Sequence, residues 1–350
     1  MTVLTGEEML RIRLASQLIT SPVHGGPADV VGHFVAMQSQ EYAMAKWAVG
    51  LRTRTLKEND VEAAFNKGEI LRTHLLRPTW HFILPKDIRW VLELTAPHVR
   101  KQTDYYLRAR GIDKDELSGS SRVIEDVLST GVPMTRAEII AELEAAGVDT
   151  SNHRITHILM DAELSGLICS GPRKGKQFTH VLLENAAPSA RTMHRDDALA
   201  ELASRYFASK GPATVNDFAY WSGLSVKDAR TGADSLDGTF DRTSFGGLEY
   251  IYRHSEGSDH RRSTFLLPDY DELILGYKDR SLLLPAERNG IAVNAETDHG
   301  LLLVRGRTEG KWAAPSGKRM KASAEPLRKV SDDERSEIDS AVTHYREFWS

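Results

Sequence analysis

Two glutamines on either side of one serine are the first residues in this chain whose types and spacing suggest chemistry. Gln38 and Gln40 flank Ser39, directly after the apolar run VVGHFVAM. An amide can donate and accept hydrogen bonds, but it is a poor base. Residues two apart on a straight helix point to nearly opposite sides, so both amides can reach one water only if a helix ends or distorts near Ser39. The alternative interpretation is a polar helix end exposed to solvent.

A second polar group lies in the segment LLRPTWHFIL, which is typical of an extended strand. Arg77, Thr79 and His81 occupy alternate positions there. Because side chains alternate across a strand, these three should share one face, with Leu76, Trp80 and Phe82 on the other. The row either lines a cleft, or Thr79 and His81 serve only as structural hydrogen-bonding groups.

Other signatures of catalysis or metal binding are missing from the sequence. The segment GPRKGK is one residue short of a phosphate loop, and no GxGxxG, HExxH or GxSxG motif occurs. Asp269 and Asp271 in PDYDEL offer too few oxygen ligands for a metal, and we expect one of them to anchor Arg280 or to cap a turn. We therefore expect no metal and no cofactor. The single cysteine, Cys169, excludes a disulfide framework and is predicted to be a small buried residue.

The elements that must position these residues are clearest between Met134 and Phe178. Thr135 is placed to cap a helix in RAEIIAELEAAG, and a polar turn leads to a second helix in HRITHILMDAELSG. Two β-like runs, LICS and QFTHVLL, follow around the basic loop GPRKGK. This order predicts a winged helix, which places one helix in a DNA groove and a hairpin on the backbone. Winged helices also serve as protein-docking modules or scaffolds, and this segment alone leaves both roles open.

The same order of elements recurs in the rest of the chain. From Asp196 to Tyr252 there are three predicted helices, a capping Thr214 and two β-rich runs around Gly246 and Gly247. In the first third, EEMLRIRLASQLI, ADVVGHFVAMQSQ and VEAAFNKGE are predicted helices, followed by the extended segment LLRPTWHFIL. We therefore predict an α+β, mainly helical protein of tandem winged helix-turn-helix units with a C-terminal β-rich element. The expected units are residues 1–115, 116–190, 191–255 and 256–350.

Composition is compatible with this organisation. The chain has 350 residues, of which 41% are hydrophobic and 27% charged, as in ordinary soluble proteins of two or three domains. No apolar run is long enough to span a membrane, and the N-terminus does not resemble a signal peptide. We expect a cytoplasmic monomer with no membrane partner.

The formal net charge of −4 argues against nucleic-acid binding, although the distribution of charge matters more than its sum. Basic residues are concentrated at a few places, and each cluster could equally be a solvated loop. The residues that we expect to contact DNA are Arg173, Lys174, Lys176, Arg253, Arg261 and Arg262.

Four short motifs, in this order along the chain, resemble the AlkZ-like winged-helix DNA glycosylases. Each is weak alone, and together they extend over nearly the whole chain, from about residue 10 to about residue 320. They are Gln-x-Gln at Gln38 and Gln40, the R-T-x-L-x-R-x-T-x-H pattern from Arg72 to His81, Pro-x-x-Asp at Pro268 and Asp271, and G-R-x-x-G-x-W from Gly306 to Trp312.

The resemblance implies three tandem winged helices and a C-terminal element in a C shape around DNA, and an enzyme that hydrolyses the N-glycosidic bond of alkylated purines, including cross-linked ones. In that family the paired glutamines position the attacking water. The sister group, the YcaQ-like enzymes, has aspartate at the second position, so Gln40 places this chain on the AlkZ-like side. Ser39 stands where the family usually has a small apolar residue. The resemblance also favours a phosphate contact for Arg77, and a hydrogen bond near the reacting sugar for His81, with Thr79 beside them.

The implied chemistry is physically consistent with two amides. A purine alkylated at N3 or N7 already carries a positive charge, so it can leave without receiving a proton. What remains is to hold a water and to stabilise charge on the sugar, which preorganised dipoles can do. Selectivity would then depend partly on the leaving group, which suits bulky adducts in double-stranded DNA that do not fit a closed base-flipping pocket.

A non-catalytic DNA-binding protein is the alternative, either a transcriptional regulator or a drug-sequestering resistance factor. A regulator would usually carry a ligand domain or a dimerisation helix, and no long heptad segment occurs in the sequence. The low positive charge also counts against a high-affinity regulator.

Overall fold

A computed structural model describes residues 3–23, 25–53, 55–253, 264–284, 300–314 and 319–350 of the chain. Within these ranges it contains fourteen α-helices and twelve β-strands, the strands being arranged in three sheets. The predicted α+β class with a helical majority is therefore confirmed. Among the described helices, none is both long enough and apolar enough to cross a membrane.

The first unit begins with helix α1 and continues as helix, short strand, two helices and a hairpin. Its elements are α1 (Gly6–Ser16), α2 (Pro27–Phe34), β1 (Ala36–Gln38), α3 (Tyr42–Leu51), α4 (Glu58–Asn66), β2 (Leu71–Leu75) and β3 (Arg77–Ile83). One prediction is wrong here, because the helix expected to continue to Gln40 ends at Phe34. Val35 has a φ of +67°, which breaks the helix, and the next three residues pair with β3. Pairing with a strand more than forty residues away is not visible in the local sequence.

The second unit follows the long helix α5 (Pro85–Ala109) and repeats the order of elements. It contains α6 (Lys114–Leu128), β4 (Met134–Thr135), α7 (Arg136–Ala145), α8 (Arg154–Leu164), β5 (Ile168–Lys174), β6 (Gln177–Leu182) and the short α9 (Leu183–Ala186). The predicted cap of α7 is present. Thr135 accepts a hydrogen bond from the Glu138 backbone, and the Glu138 side chain accepts one in return from Thr135, which forms a capping box.

The hairpins of the first two units join into one six-stranded sheet of order β1-β3-β2-β5-β6-β4. The link is made by β2 and β5, at the pair Arg72 and Ser170. The sequence predicted a hairpin in the second unit and an extended segment in the first, with no pairing between them. In the joined sheet β1, which carries Gln38, is at one edge.

The third unit has the same order again, with α10 (Arg195–Lys210), α11 (Val215–Ser222), α12 (Val226–Asp234) and the hairpin β7 (Phe240–Phe245) and β8 (Leu248–Arg253). A single bridge between Ala213 and Ile251 takes the place of the first strand. Thr214 caps α11 as predicted, and Gly246 and Gly247 both have positive φ in the tight turn.

The C-terminal region forms a four-stranded antiparallel sheet of order β12-β11-β10-β9, covered by a terminal helix. It consists of β9 (Thr264–Leu267), α13 (Glu272–Leu275), β10 (Gly300–Val304), β11 (Arg307–Ala313), a 3₁₀ turn at Arg319–Lys321, β12 (Ser323–Pro326) and α14 (Asp332–Phe348). The main hydrophobic core contains residues of the first and third units and of this region, whereas the helices of the second unit surround a smaller core of their own. The main core therefore includes residues of α10, of α13 and of the strand that carries Gln38.

Candidate active site

Gln38 and His81 face each other across the β1–β3 ladder. The two residues are direct cross-strand partners, and on its other side His81 is paired with Thr73 of β2. Directly paired residues project to the same face of a sheet, so these three side chains form one row across three strands. The predicted strand is therefore confirmed as β3, and Gln38 extends the row of His81 and Thr73 from a strand rather than from a helix. A register shift lies between the pairs Leu75–Arg77 and His74–Trp80, so the pairing does not place Thr79 in that row.

The backbone around the two glutamines is held by specific hydrogen bonds. The Ser39 N–H donates to the Trp80 carbonyl (2.7 Å), and Arg72 Nε donates to the Ser39 carbonyl (3.2 Å). The Gln38 side-chain oxygen accepts a hydrogen bond from the Gln40 backbone N–H (3.2 Å). Gln38 is buried and Gln40 is exposed. Gln38 lies in a strand, so the opposite directions expected of helical residues two apart do not apply. The Gln38 side chain is hydrogen-bonded directly to the Gln40 backbone.

His81 is held in its neutral form. Its ring is completely buried, and its Nδ1 lies 2.9 Å from the Thr79 carbonyl. Burial lowers the pKa of His81 well below its usual value, and the positive charge of Arg77 lowers it further. In the neutral ring Nδ1 therefore carries the proton and donates it to Thr79, which leaves Nε2 as a hydrogen-bond acceptor.

Several buried polar atoms around this row have no hydrogen-bond partner within the described residues. Buried polar groups normally have a protein or water partner, and a buried group without a hydrogen bond lowers the stability of the fold. A cluster of such atoms indicates a place where water or a ligand completes the hydrogen bonds. The atoms are Ser39 Oγ, Thr73 Oγ1, Arg77 Nε and Nη2, Thr79 Oγ1 and His81 Nε2.

A buried carboxylate from the second unit binds His74, the residue that follows Thr73 in β2. Glu163 of α8 accepts hydrogen bonds from the backbone N–H (2.8 Å) and Nδ1 (2.5 Å) of His74, and Trp80 Nε1 lies 3.4 Å from it. Burial alone would raise the pKa of Glu163, but the charge and hydrogen bonds of His74 outweigh this and leave that pKa lowered. The second unit thereby fixes the two strands that carry Thr73 and His81.

Asp271 of the Pro-x-x-Asp motif anchors the first unit to the C-terminal region. It caps α13 by accepting the Leu273 N–H (2.8 Å), which confirms the capping alternative. Its partner is not Arg280, which instead contacts Ile274 and Tyr220. Both carboxylate oxygens of Asp271 accept hydrogen bonds from Arg52, each at 2.8 Å, and both side chains are completely buried.

We expect Asp271→Asn to lower the free energy of unfolding by roughly 3–5 kcal/mol, because it leaves the buried guanidinium of Arg52 without a counterion. Asparagine can still cap α13, so the variant isolates the ion pair. The measurement is urea unfolding followed by circular dichroism. The control is Asp104→Asn, which removes the exposed pair between Asp104 and Arg108 and should cost less than about 1 kcal/mol. Equal losses in the two variants would contradict this assignment.

The predicted DNA-contacting residues of the β5–β6 hairpin differ in their surroundings. The Arg173 guanidinium lies 4.4 Å from the Phe178 ring centroid and 4.9 Å from that of Tyr42, and is partly buried. Lys174 is exposed and pairs with Glu138 (2.6 Å), and Lys176 is exposed at the turn. Lys174 and Lys176 are therefore the solvent-exposed charges of this hairpin, whereas Arg173 packs against the sheet.

The other three basic residues that the sequence predicted to contact DNA are Arg253, Arg261 and Arg262. Arg253 is exposed at the end of β8, where its guanidinium lies over the Phe240 ring (4.9 Å). Arg261 and Arg262 lie outside the described residues.

In the described part of the chain, no group of three or more His, Cys, Asp or Glu residues is arranged so that it could hold a metal ion. Cys169 is buried in β5, as predicted, and burial raises the pKa of its thiol.

Glu272 is a residue of the site that the sequence analysis did not single out, and it follows Asp271 directly. Its carboxylate accepts the Gln38 backbone N–H (2.8 Å), and only its place beside the Pro-x-x-Asp motif could have drawn attention to it.

Comparisons with known proteins identify a matching family, a relative with a similar sequence and a solved structure with a similar fold. The model of the family described as DNA glycosylase AlkZ-like matches residues 31–348. The chain is 23% identical over 319 residues to the interstrand DNA cross-link repair glycosylase of Streptomyces sahachiroi, covering 86% of this chain and 85% of that protein. The solved structure of Streptomyces sahachiroi DNA glycosylase AlkZ has a TM-score of 0.82 and 19% identity, and the match covers 99% of this chain and 97% of that one. This structural likeness shows a shared fold.

Proposed function

Because this chain belongs to the AlkZ-like family of DNA glycosylases, we propose that it hydrolyses the N-glycosidic bond of cationic N3- or N7-alkylated purines in double-stranded DNA. We include purines whose adducts cross-link the two strands, since the S. sahachiroi relative is named as an interstrand cross-link repair glycosylase. The observation that carries the proposal is the Gln38–Gln40 pair, tied together beside His81 and a cluster of buried polar atoms without partners.

In the proposed reaction, the bond between the purine nitrogen and the sugar carbon C1′ breaks, and its electron pair stays with the base. The base was cationic and therefore leaves as a neutral molecule. A water held by the amides of Gln38 and Gln40 then forms a bond from its oxygen to C1′. The proton that this water loses passes to His81 Nε2, through a water bound in the polar cluster. A weak base is sufficient for this step, because the water becomes strongly acidic as its oxygen bonds to the oxocarbenium-like sugar.

The proposed overall organisation follows the repeated order of elements. We assign winged helices to residues 1–115, 116–190 and 191–255 and a β-rich element to residues 256–350, in a C shape around the duplex and as a monomer. The support is that helix, strand or bridge, two helices and hairpin occur three times in this order. Arg77, which has two buried guanidinium nitrogens without a partner among the described residues, is assigned to a phosphate.

The direct test is to incubate the protein with a duplex that contains one N7-methylguanine and to measure abasic sites by alkaline cleavage. Accumulation of abasic sites at the lesion, and none in the undamaged duplex, is the expected result. Binding of both duplexes without abasic sites would favour the alternative, a non-catalytic DNA-binding protein.

We expect removal of charge at Arg173, Lys174 and Lys176 to weaken binding to damaged and undamaged duplex about equally. Phosphate contacts carry affinity without sequence information, and each lost contact should reduce the slope of log affinity against log salt by roughly 0.9. The measurement is fluorescence anisotropy over a range of salt concentrations. The double variant Lys174→Gln, Lys176→Gln is the control, because it leaves Arg173 packed between Tyr42 and Phe178. An unchanged slope in both variants would mean that this hairpin does not contact DNA.

A further inference from the structure

Glu272 connects strand β1, which carries Gln38, to two other parts of the fold. Its side chain is buried at the start of α13, where one carboxylate oxygen accepts the Gln38 backbone N–H at 2.8 Å. The other oxygen accepts Trp221 Nε1 of α11 at 2.9 Å and lies 3.5 Å from Lys210 Nζ. One carboxylate therefore joins β1 of the first unit, two helices of the third unit and the C-terminal region.

Lys210 is the counterion of Glu272. It is the last residue of α10 and is completely buried, with its Nζ 4.4 Å from the Trp221 ring centroid and 4.6 Å from that of Phe34. Burial lowers the pKa of Lys210 to about 8, while the charge of Glu272 opposes this shift. A buried ammonium of this kind is tolerated because a carboxylate and aromatic faces surround it.

The position of Gln38 explains why a carboxylate is useful there. Strand β1 is at the edge of the six-stranded sheet, so a backbone N–H on its outer side has no neighbouring strand as a partner. A carboxylate beside a buried N–H forms a stronger hydrogen bond than a neutral acceptor does. It also fixes the end of β1, from which the Gln38 side chain accepts the N–H of Gln40.

We propose that Glu272, oriented by Lys210, is a positioning residue that holds Gln38 and, through it, Gln40 in the geometry needed to bind the attacking water. This inference rests on the proposed function of the two glutamines. It assigns a role in the reaction to the third unit and to the C-terminal region, which supply Lys210, Trp221 and Glu272 without contacting the water themselves.

The experiment compares three variants, Glu272→Met, Lys210→Met and the double variant. Glu272→Met should lose both thermal stability and base release, because it leaves Lys210 buried without a counterion. In the double variant the buried pair is replaced by two apolar side chains, which is often neutral for stability, so the melting temperature should recover. The rate of base release should stay on the order of 100-fold below wild type, because a small misplacement of the glutamines is costly. Lys210→Met, which keeps the carboxylate on Gln38, should show a smaller loss of rate than the double variant.

Hydrogen–deuterium exchange at the Gln38 amide provides a readout that needs no activity. Its protection should be lost in Glu272→Met and in the double variant and retained in Lys210→Met. If the double variant recovers both the rate of base release and the stability, the proposal is overturned. The pair of Glu272 and Lys210 would then have only a structural role. Retained protection of Gln38 in the double variant would overturn it as well. Absence of base release by the wild-type protein would refute the proposed function instead, and the exchange data would still decide whether Glu272 holds Gln38.

Discussion

Gln38→Ala and Gln40→Ala are each expected to lower the rate of base release from N7-methylguanine by more than tenfold, with a loss of about 100-fold. The reason is that each amide helps to hold the attacking water, and the loss of one preorganised group typically raises the barrier by roughly 3 kcal/mol. Gln40 is exposed, so its substitution should leave stability unchanged. Gln38→Ala removes the acceptor of the Gln40 N–H, so the second glutamine is also displaced in this variant.

The rates are to be measured in single turnovers, with excess protein over a duplex that contains one lesion. DNA affinity and melting temperature should remain close to those of the wild type, which separates a catalytic loss from a loss of binding or folding. Gln102→Ala is a suitable control, because Gln102 is an exposed glutamine on α5. Full activity of both Gln38→Ala and Gln40→Ala would show that the glutamines are a surface feature and that the proposed mechanism is wrong.

We expect the protein to release cationic N3- and N7-alkylpurines but not uracil, hypoxanthine or 8-oxoguanine. Neutral bases need a proton in order to leave, and a general acid usually contributes about 100-fold or more to the rate. His81 cannot supply this proton near neutral pH, because burial and the charge of Arg77 hold its pKa well below its usual value. We therefore expect neutral lesions to be released at least about 100-fold more slowly than N7-methylguanine.

A panel of duplexes that differ only in the lesion tests this expectation. Comparable rates on uracil or 8-oxoguanine would reveal a hidden general acid. Glu41, which follows Gln40 at the start of α3, and His81 would then be the first residues to replace. A second series should vary the size of the adduct at N7. Under the proposed mechanism the adduct does not have to enter a closed pocket, so bulky adducts should be cleaved nearly as fast as the methylated base. A steep fall of the rate with size would indicate a closed base-flipping pocket.

Much of the architecture is determined by short-range features of the sequence. The capping boxes at Thr135 and Thr214 join residues three apart, and the Gly246-Gly247 turn needs only its own backbone freedom. The alternation of Arg77, Thr79 and His81 likewise follows from the period of a strand. For this reason, helix starts, hairpins and the polar row could be predicted, and the order of four short motifs was enough to indicate the family.

The active-site geometry depends on contacts that no local pattern contains. The segment Ala36–Gln38 was expected to be helical, and it becomes a strand because β3 is available to pair with it. The partner of Arg52 is 219 residues away, and that of the Gln38 N–H is 234 residues away. Buried charges and unpaired backbone groups must find a partner somewhere in the folded chain, and the packing of distant units decides which residue it is. The sequence by itself therefore determined the repeated elements and the glutamine pair, whereas only the tertiary structure placed Gln38 beside His81 and Glu272.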